Sequence, residues 1–122
     1  MNFIMITRFS VPHLHNCTKT LVNVASNKIE PELVLFNAKI LSTYTERILE
    51  NKEVWISQGR IACIKSTGSA KKIFNNENFV SYDINNHILA PGLIDPHMHI
   101  ESSMMTGCAY AEAALLNGTT TV

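Results

Sequence analysis

The chain has 122 residues with 10 basic and 10 acidic side chains, so its formal net charge at neutral pH is zero. Hydrophobic residues make up 46% of the sequence, which excludes the low hydrophobicity and high net charge of disordered proteins. The balanced charge gives no general attraction to nucleic acid or to a membrane surface, and no apolar run approaches the roughly 18 residues that span a bilayer. We therefore expect a small globular protein without nucleic-acid or membrane partners.

The cysteines and the first residues indicate a cytoplasmic protein. Cys17, Cys63 and Cys108 are too few and too widely spaced for a disulfide framework or a zinc knuckle, so reduced thiols are expected. The apolar stretch Phe3–Ile6 is short and has no basic residue before it, which argues against a secretory signal.

Residues 1–31 are predicted to be an N-terminal extension with little regular pattern. Only residues 21–29 show some helical spacing of apolar side chains. His13 and His15 form a His-x-His pair, but no predicted element positions them and no third ligand lies nearby. We interpret this pair as unrelated to metal binding.

Residues 32–90 predict a small antiparallel β-sandwich or half of one. The predicted strands cover residues 33–41, 48–49, 54–57, 60–64, 79–83 and 87–90. Gln58 and Gly59 form a predicted tight hairpin turn, because glycine readily adopts positive φ. The polar residues 66–78 are expected to be a surface loop.

Residues 91–122 predict a strand, a helix and the start of a second strand. The first strand is expected over residues 93–100 and the helix over residues 109–116, with Thr106 as its N-cap. Asn117-Gly118 is a typical helix stop, and the β-branched residues that follow favour a strand. This order is typical of an α/β fold with a parallel sheet or barrel.

The polar residues of the predicted strand 93–100 suggest a metal site. Side chains alternate along a strand, so His97 and His99 share a face with Asp95, and Glu101 continues that face. Two imidazoles at this spacing lie about 6–7 Å apart and can bind one ion. We predict His97 and His99 as metal ligands.

The segment that contains these histidines resembles a known family. The run PGLIDPHMH at residues 91–99 is similar to the first-strand signature of the amidohydrolase superfamily. The runs HIESSMM at 99–105 and NGTTTV at 117–122 resemble the adenine deaminases of that superfamily, and so does the GRI turn at 59–61. The resemblance extends over residues 32–122.

The resemblance implies a (β/α)₈ barrel with a flanking sandwich built from both ends of the chain. It also implies one or two divalent ions, manganese or iron with zinc as a third candidate, and a homodimer for complete members. The reaction implied is attack of activated water on C6 of adenine, which releases ammonia and leaves hypoxanthine. Residues 32–90 would be half of the sandwich, and residues 91–122 the first βα unit of the barrel and the start of its second strand.

Glu101 refines the predicted substrate class. Related dihydroorotases place an arginine at this position to bind a substrate carboxylate, whereas an acid would repel a carboxylate and accept hydrogen bonds from an amino group. We assign Glu101 as a candidate catalytic acid, the alternative being a solvated loop acid or a helix cap. Asp95, Ser102 and Ser103 are candidates for supporting the ligands or binding substrate, and Met104, Met105 and Cys108 are expected to pack.

Length limits what this chain is expected to do alone. A (β/α)₈ barrel takes about 250 residues, and the metal ligands of its later strands are absent from this sequence. We expect an N-terminal fragment of an adenine deaminase that is inactive by itself. Two alternatives remain, namely a truncated cyclic amidohydrolase or deacetylase of the same superfamily, and a non-enzymatic β-domain with an incidental His-x-His pair.

Overall fold

A computed structural model describes residues 11–75 and 78–122, and the predicted apolar stretch Phe3–Ile6 lies outside them. The chain divides into two compact units, residues 1–89 (unit 1) and residues 90–122 (unit 2). Among the described residues, no helix has the length and apolar character needed to cross a membrane.

The described residues of unit 1 form two helices and five strands. They are α1 (Leu14–Ala25), β1 (Leu33–Ser42), β2 (Arg47–Ser57), β3 (Arg60–Ser66), α2 (Ser69–Ile73), β4 (Val80–Asp83) and β5 (Ile88–Leu89). Unit 2 contains β6 (Leu93–Ile94), a 3₁₀ helix (Ile100–Ser103), α3 (Gly107–Leu116) and β7 (Thr119–Thr121).

The strands of unit 1 form one mixed sheet in the order β3-β2-β1-β4, with β5 also paired to β1. Strands β1, β2 and β3 are antiparallel, whereas β4 and β5 run parallel to β1. The expectation of an antiparallel arrangement is therefore wrong for β4 and β5. The reason is the connection through α2, which returns the chain to the far side of β1 in the same direction as β1.

The hairpin between β2 and β3 forms as predicted, but β2 is longer than predicted. Gln58 and Gly59 have φ of 52° and 69°, as a two-residue type I′ turn requires. The two predicted strands at 48–49 and 54–57 are parts of one strand, in which Asn51 has a positive φ of 52° at a bulge where Glu50 and Asn51 of β2 lie opposite Lys39 of β1. Asparagine tolerates this conformation, so the polar interruption bends the strand without ending it.

Helix α1 packs on the sheet. The sequence pattern predicted no clear helix or strand in this region. Its residues Cys17 and Val24 are buried. The Nζ of Lys65 donates to the carbonyl of Ala25 at 3.1 Å and to the side chain of Asn27, and it lies 4.3 Å from the centre of the Trp55 ring. These contacts join the end of α1 to β3 and to the core.

A buried carboxylate organises the segment that follows β3. Glu53 is 1% exposed and accepts hydrogen bonds from the Trp55 indole at 2.7 Å, from the Gly68 amide at 2.7 Å and from the Ala70 amide at 2.8 Å. Two of these donors are amides at the start of α2, where a negative charge is favourable. The predicted surface loop 66–78 therefore includes a short helix, α2, whose N-terminal end is held by hydrogen bonds to this carboxylate.

Unit 2 has the predicted order of strand, helix and strand. β6 and β7 pair in parallel, with Leu93 opposite Thr119. The Thr106 hydroxyl accepts the Ala109 amide at 3.3 Å, and Gly118 ends the helix with φ of 87°. The chain is thus a mixed α/β protein, and the (β/α)₈ barrel stays a prediction.

Candidate metal site

The candidate site lies in the segment between β6 and α3. The predicted strand over residues 93–100 is wrong in extent, because β6 ends at Ile94. Pro96 has no amide hydrogen to donate to a neighbouring strand. The Asp95 carboxylate accepts a hydrogen bond from the His97 amide at 3.2 Å in a local turn. The histidines therefore lie in a loop that begins where the strand ends.

The loop brings His97 and His99 together. Their ring centres are 5.0 Å apart and the ring planes meet at 72°, with both side chains exposed. Strand alternation is not the cause of this proximity, since neither residue belongs to a strand. In residues 11–75 and 78–122, no group of three or more histidine, cysteine, aspartate or glutamate side chains converges in a metal-binding arrangement.

Glu101 contacts one of the two histidines directly. It lies in the first turn of the 3₁₀ helix, and its Oε1 is 2.9 Å from Nδ1 of His99. This hydrogen bond, followed by one from its own backbone amide, holds the pKa of Glu101 below its usual value. The carboxylate is therefore ionised at neutral pH and accepts hydrogen bonds without donating any.

The other candidate residues bond to the backbone of the same segment. The Asp95 carboxylate supports the turn at His97, and the Ser103 hydroxyl donates to the Ile100 carbonyl at 2.6 Å. The backbone amide of Ser102 donates to the His99 carbonyl at 3.1 Å. Their roles toward a metal ion or substrate stay predictions.

The packing expected for Met104, Met105 and Cys108 is wrong for unit 2. Met104 is 98% exposed, and Met105 and Cys108 are also exposed. Met104 ends the 3₁₀ helix with φ of 56°. Its place in the turn directs the side chain to solvent.

The donor set of this loop suits part of a site for a divalent ion. Imidazole nitrogens and carboxylates are ligands that manganese, iron and zinc accept. The ring centres of His97 and His99 are 5.0 Å apart, which is close enough for one nitrogen of each ring to reach a single ion at a bond length of about 2 Å. A catalytic zinc-type site needs about three protein ligands, so these histidines would supply two of a larger set.

The other His-x-His pair has a different geometry. His13 is the N-cap residue of α1 and His15 lies in its first turn, so a helix positions this pair after all. The rings are stacked, with 5.7 Å between their centres and only 13° between their planes. Lone pairs in nearly parallel planes do not converge, which favours the interpretation that this pair is unrelated to metal binding.

Sequence reasoning missed the contact between Glu101 and His99. It placed Glu101 on the same face as the histidines through strand alternation, a pattern that does not hold in this loop. The available signal was the spacing itself, because an acid two residues after a histidine can reach its ring when the chain turns.

Comparison with known proteins shows close relatives, although no family model matches. The chain is 56% identical over 117 residues to a protein of a Bradyrhizobium species named adenine deaminase, and the match covers 96% of this chain and 19% of that protein. It is 35% identical over 115 residues to a protein of the same name from a type A strain of Clostridium botulinum, covering 94% of this chain and 18% of that one.

These matches extend beyond the predicted resemblance. A match of 117 residues is longer than the range 32–122, so it includes much of the region before residue 32. The chain spans about a fifth of the length of these curated relatives. A solved structure of a Bacillus thuringiensis protein aligns with 63% of this chain and 95% of its own, at 22% identity and a TM-score of 0.39, which is too low to support an argument.

Proposed function

Because the chain is homologous to proteins named adenine deaminase over nearly its whole length, we propose that it forms part of an enzyme that hydrolyses adenine to hypoxanthine and ammonia. The observation that carries this proposal is the 56% identity over 117 residues, a range that includes most of the candidate site. Its coverage of 19% of the relative means that the remaining machinery of the reaction lies outside the matched region.

In this proposal, His97 and His99 bind a divalent ion, with manganese, iron and zinc as candidates. Such an ion supplies activated water at neutral pH, because it lowers the pKa of bound water from about 15.7 to about 7. The position of the loop supports the assignment. It follows the carboxyl end of β6, and in parallel barrels that end of the strands carries the active site.

The charge and exposure of Glu101 favour a substrate that is uncharged and carries an amino group. Its side chain is exposed and ionised, so it repels a substrate carboxylate. The carboxylate has acceptor positions beyond the one that His99 occupies, and these suit an exocyclic amino group or a ring N–H. Adenine offers both groups. Asp95, Ser102 and Ser103 maintain the turn from which these side chains project.

A chimeric enzyme tests the proposal. The matching N-terminal fifth of the Bradyrhizobium relative is replaced by this chain, and hypoxanthine formation is measured. We expect turnover that a chelator abolishes and manganese restores. His97→Ala and His99→Ala should each lower the rate by at least about 100-fold, because a lost ligand costs more than a lost supporting group. The chain alone is expected to be inactive.

The second His-x-His pair provides the control. His13→Ala and His15→Ala remove imidazoles from α1 and should leave the rate of the chimera unchanged. A folded chimera that does not convert adenine would contradict the proposal. Turnover of a cyclic amide or an N-acetylated compound in place of adenine would indicate the alternative amidohydrolase activities.

A further inference from the structure

We propose that Glu101 is a positioning residue for His99, whose carboxylate keeps the ring proton on Nδ1 and leaves Nε2 free for a metal ion. The inference rests on the proposed function for its purpose, although the hydrogen bond itself does not depend on a metal ion or on adenine. It assigns Glu101 an action through His99, separate from any contact with substrate.

The geometry requires one particular tautomer. Oε1 of Glu101 is 2.9 Å from Nδ1 of His99. An ionised carboxylate only accepts hydrogen bonds, so a neutral His99 ring must carry its proton on Nδ1 to make this contact. The lone pair of the neutral ring is then on Nε2, at the far side from Glu101.

This preference matters because water favours the other tautomer. A free neutral imidazole side chain prefers the proton on Nε2, which blocks the nitrogen that the proposed arrangement leaves available for a metal ion. Metal-bound histidines usually donate their second ring N–H to a carboxylate or carbonyl, which fixes both the tautomer and the ring orientation. The contact between Glu101 and His99 has this form before any ion is bound.

His97 is a control within the same loop. Its backbone amide donates to Asp95 and its ring lies edge-on to that of His99. Within the described residues, no carboxylate forms a hydrogen bond with the His97 ring as Glu101 does with His99. The two histidines should therefore differ in their preferred tautomer, although they are two residues apart in the sequence and both are exposed.

The deciding experiment is long-range proton–nitrogen NMR on the full 122-residue chain with ¹⁵N-labelled histidine, without metal or adenine. The spectra are recorded at about pH 8.5, a pH at which a free imidazole side chain is neutral. We expect a higher ratio of the Nδ1–H to the Nε2–H form in His99 than in His97. Glu101→Ala should lower that ratio for His99 by about two- to fivefold, the effect of an exposed charged pair.

Three comparisons make the result specific. Glu101→Gln retains an acceptor oxygen and should preserve part of the preference of His99. Glu112→Ala removes a carboxylate from α3 and should change neither histidine. The His97 ratio should not respond to any of these substitutions. An unchanged His99 ratio in both Glu101 variants overturns the inference.

A manganese titration of the same samples separates this inference from the proposed function. Half-maximal paramagnetic broadening of the histidine ring signals should require about tenfold more Mn²⁺ after Glu101→Ala. A tautomer difference between His99 and His97 without Mn²⁺ binding in the original chain would support the positioning role, and the metal dependence of the chimera would then decide the proposed metal site, which needs further ligands from outside this chain. Mn²⁺ binding with an unchanged His99 tautomer in the variants would overturn the positioning role and leave the metal site in place.

Discussion

Units 1 and 2 differ in how they are stabilised. Unit 1 has buried residues from α1, β1, β2 and α2, with Trp55 fully enclosed. Unit 2 has no buried residue between residues 90 and 122. Its helix α3 has almost no polar face, and Leu116 is 85% exposed. A helix that is apolar on all sides is typical of a protein interior, so the sequence of unit 2 is suited to more burial than the unit itself provides.

The low burial of unit 2 affects the candidate site. The histidines lie in unit 2, where turns, caps and one short strand pair hold the backbone. Local hydrogen bonds therefore determine the shape of the loop, and the contact between Glu101 and His99 is one of them. We therefore expect substitutions in the core of unit 1 to change the free energy of unfolding, and substitutions in unit 2 to be detected by local measurements such as hydrogen exchange.

The largest expected effect comes from the core of unit 1. Trp55→Ala removes a fully buried ring and its hydrogen bond to Glu53, and it should lower the free energy of unfolding by about 3–5 kcal/mol. Leu116→Ala in unit 2 should change it by less than about 0.5 kcal/mol, because that side chain is exposed. Urea denaturation followed by circular dichroism compares the two, and equal effects would refute the contrast between the units.

The next effect concerns two acids on the same strand. Glu53→Ala leaves buried N–H donors without an acceptor and should cost about 3 kcal/mol. Glu50→Ala is the matched control, since its side chain is 66% exposed and its carboxylate lies 3.9 Å from the Lys39 Nζ, a contact worth less than about 1 kcal/mol. The same denaturation experiment measures both, and a Glu53 variant as stable as the Glu50 variant would contradict the role of the buried carboxylate.

A smaller, local effect is expected in unit 2. A Cβ atom on Gly92 would lie 2.1 Å from the Thr120 hydroxyl oxygen, so Gly92→Ala should destabilise the β6–β7 pair by about 1–3 kcal/mol. The Leu93 amide donates to the carbonyl of Gly118, just before β7, and the Asp95 amide donates to the carbonyl of Thr121 in β7. Hydrogen exchange at both amides should become faster. Gly107→Ala is the control, because its Cβ would meet no atom within 4 Å. Unchanged exchange after Gly92→Ala would show that the strands tolerate the methyl group.

The smallest perturbation is a chemical probe of the three thiols. Cys108 in unit 2 is exposed and should react first with a maleimide. Burial raises the pKa of Cys63, so less of the reactive thiolate is present at neutral pH, and its labelling should be slower and should accelerate as the pH rises. Cys17 is fully buried and should react last. Mass spectrometry gives the order, and early labelling of Cys17 would contradict the packing of α1.

Sequence reasoning succeeded where structure depends on near neighbours. The turn at Gln58-Gly59, the Thr106 cap and the stop at Gly118 each follow from one or two residues, and all three are present. It did not identify α1 as a helix from Leu14 onward, and it divided β2 at its polar residues. In both cases packing against other elements outweighs a weak local pattern.

The sequence by itself predicted the hairpin turn, the helix cap and the helix stop, and it proposed His97 and His99 as metal ligands, because these depend on residue types at short spacing. Its motifs also resembled those of the adenine deaminases, in agreement with the relatives that the chain matches. Only the tertiary structure decided that β4 and β5 run parallel to β1 and that Glu53 is the buried acid beneath α2. It also decided that Glu101 contacts His99 through a turn instead of a strand. Strand pairing and side-chain partners depend on which distant or folded-back segments meet, and no spacing rule along the chain specifies that.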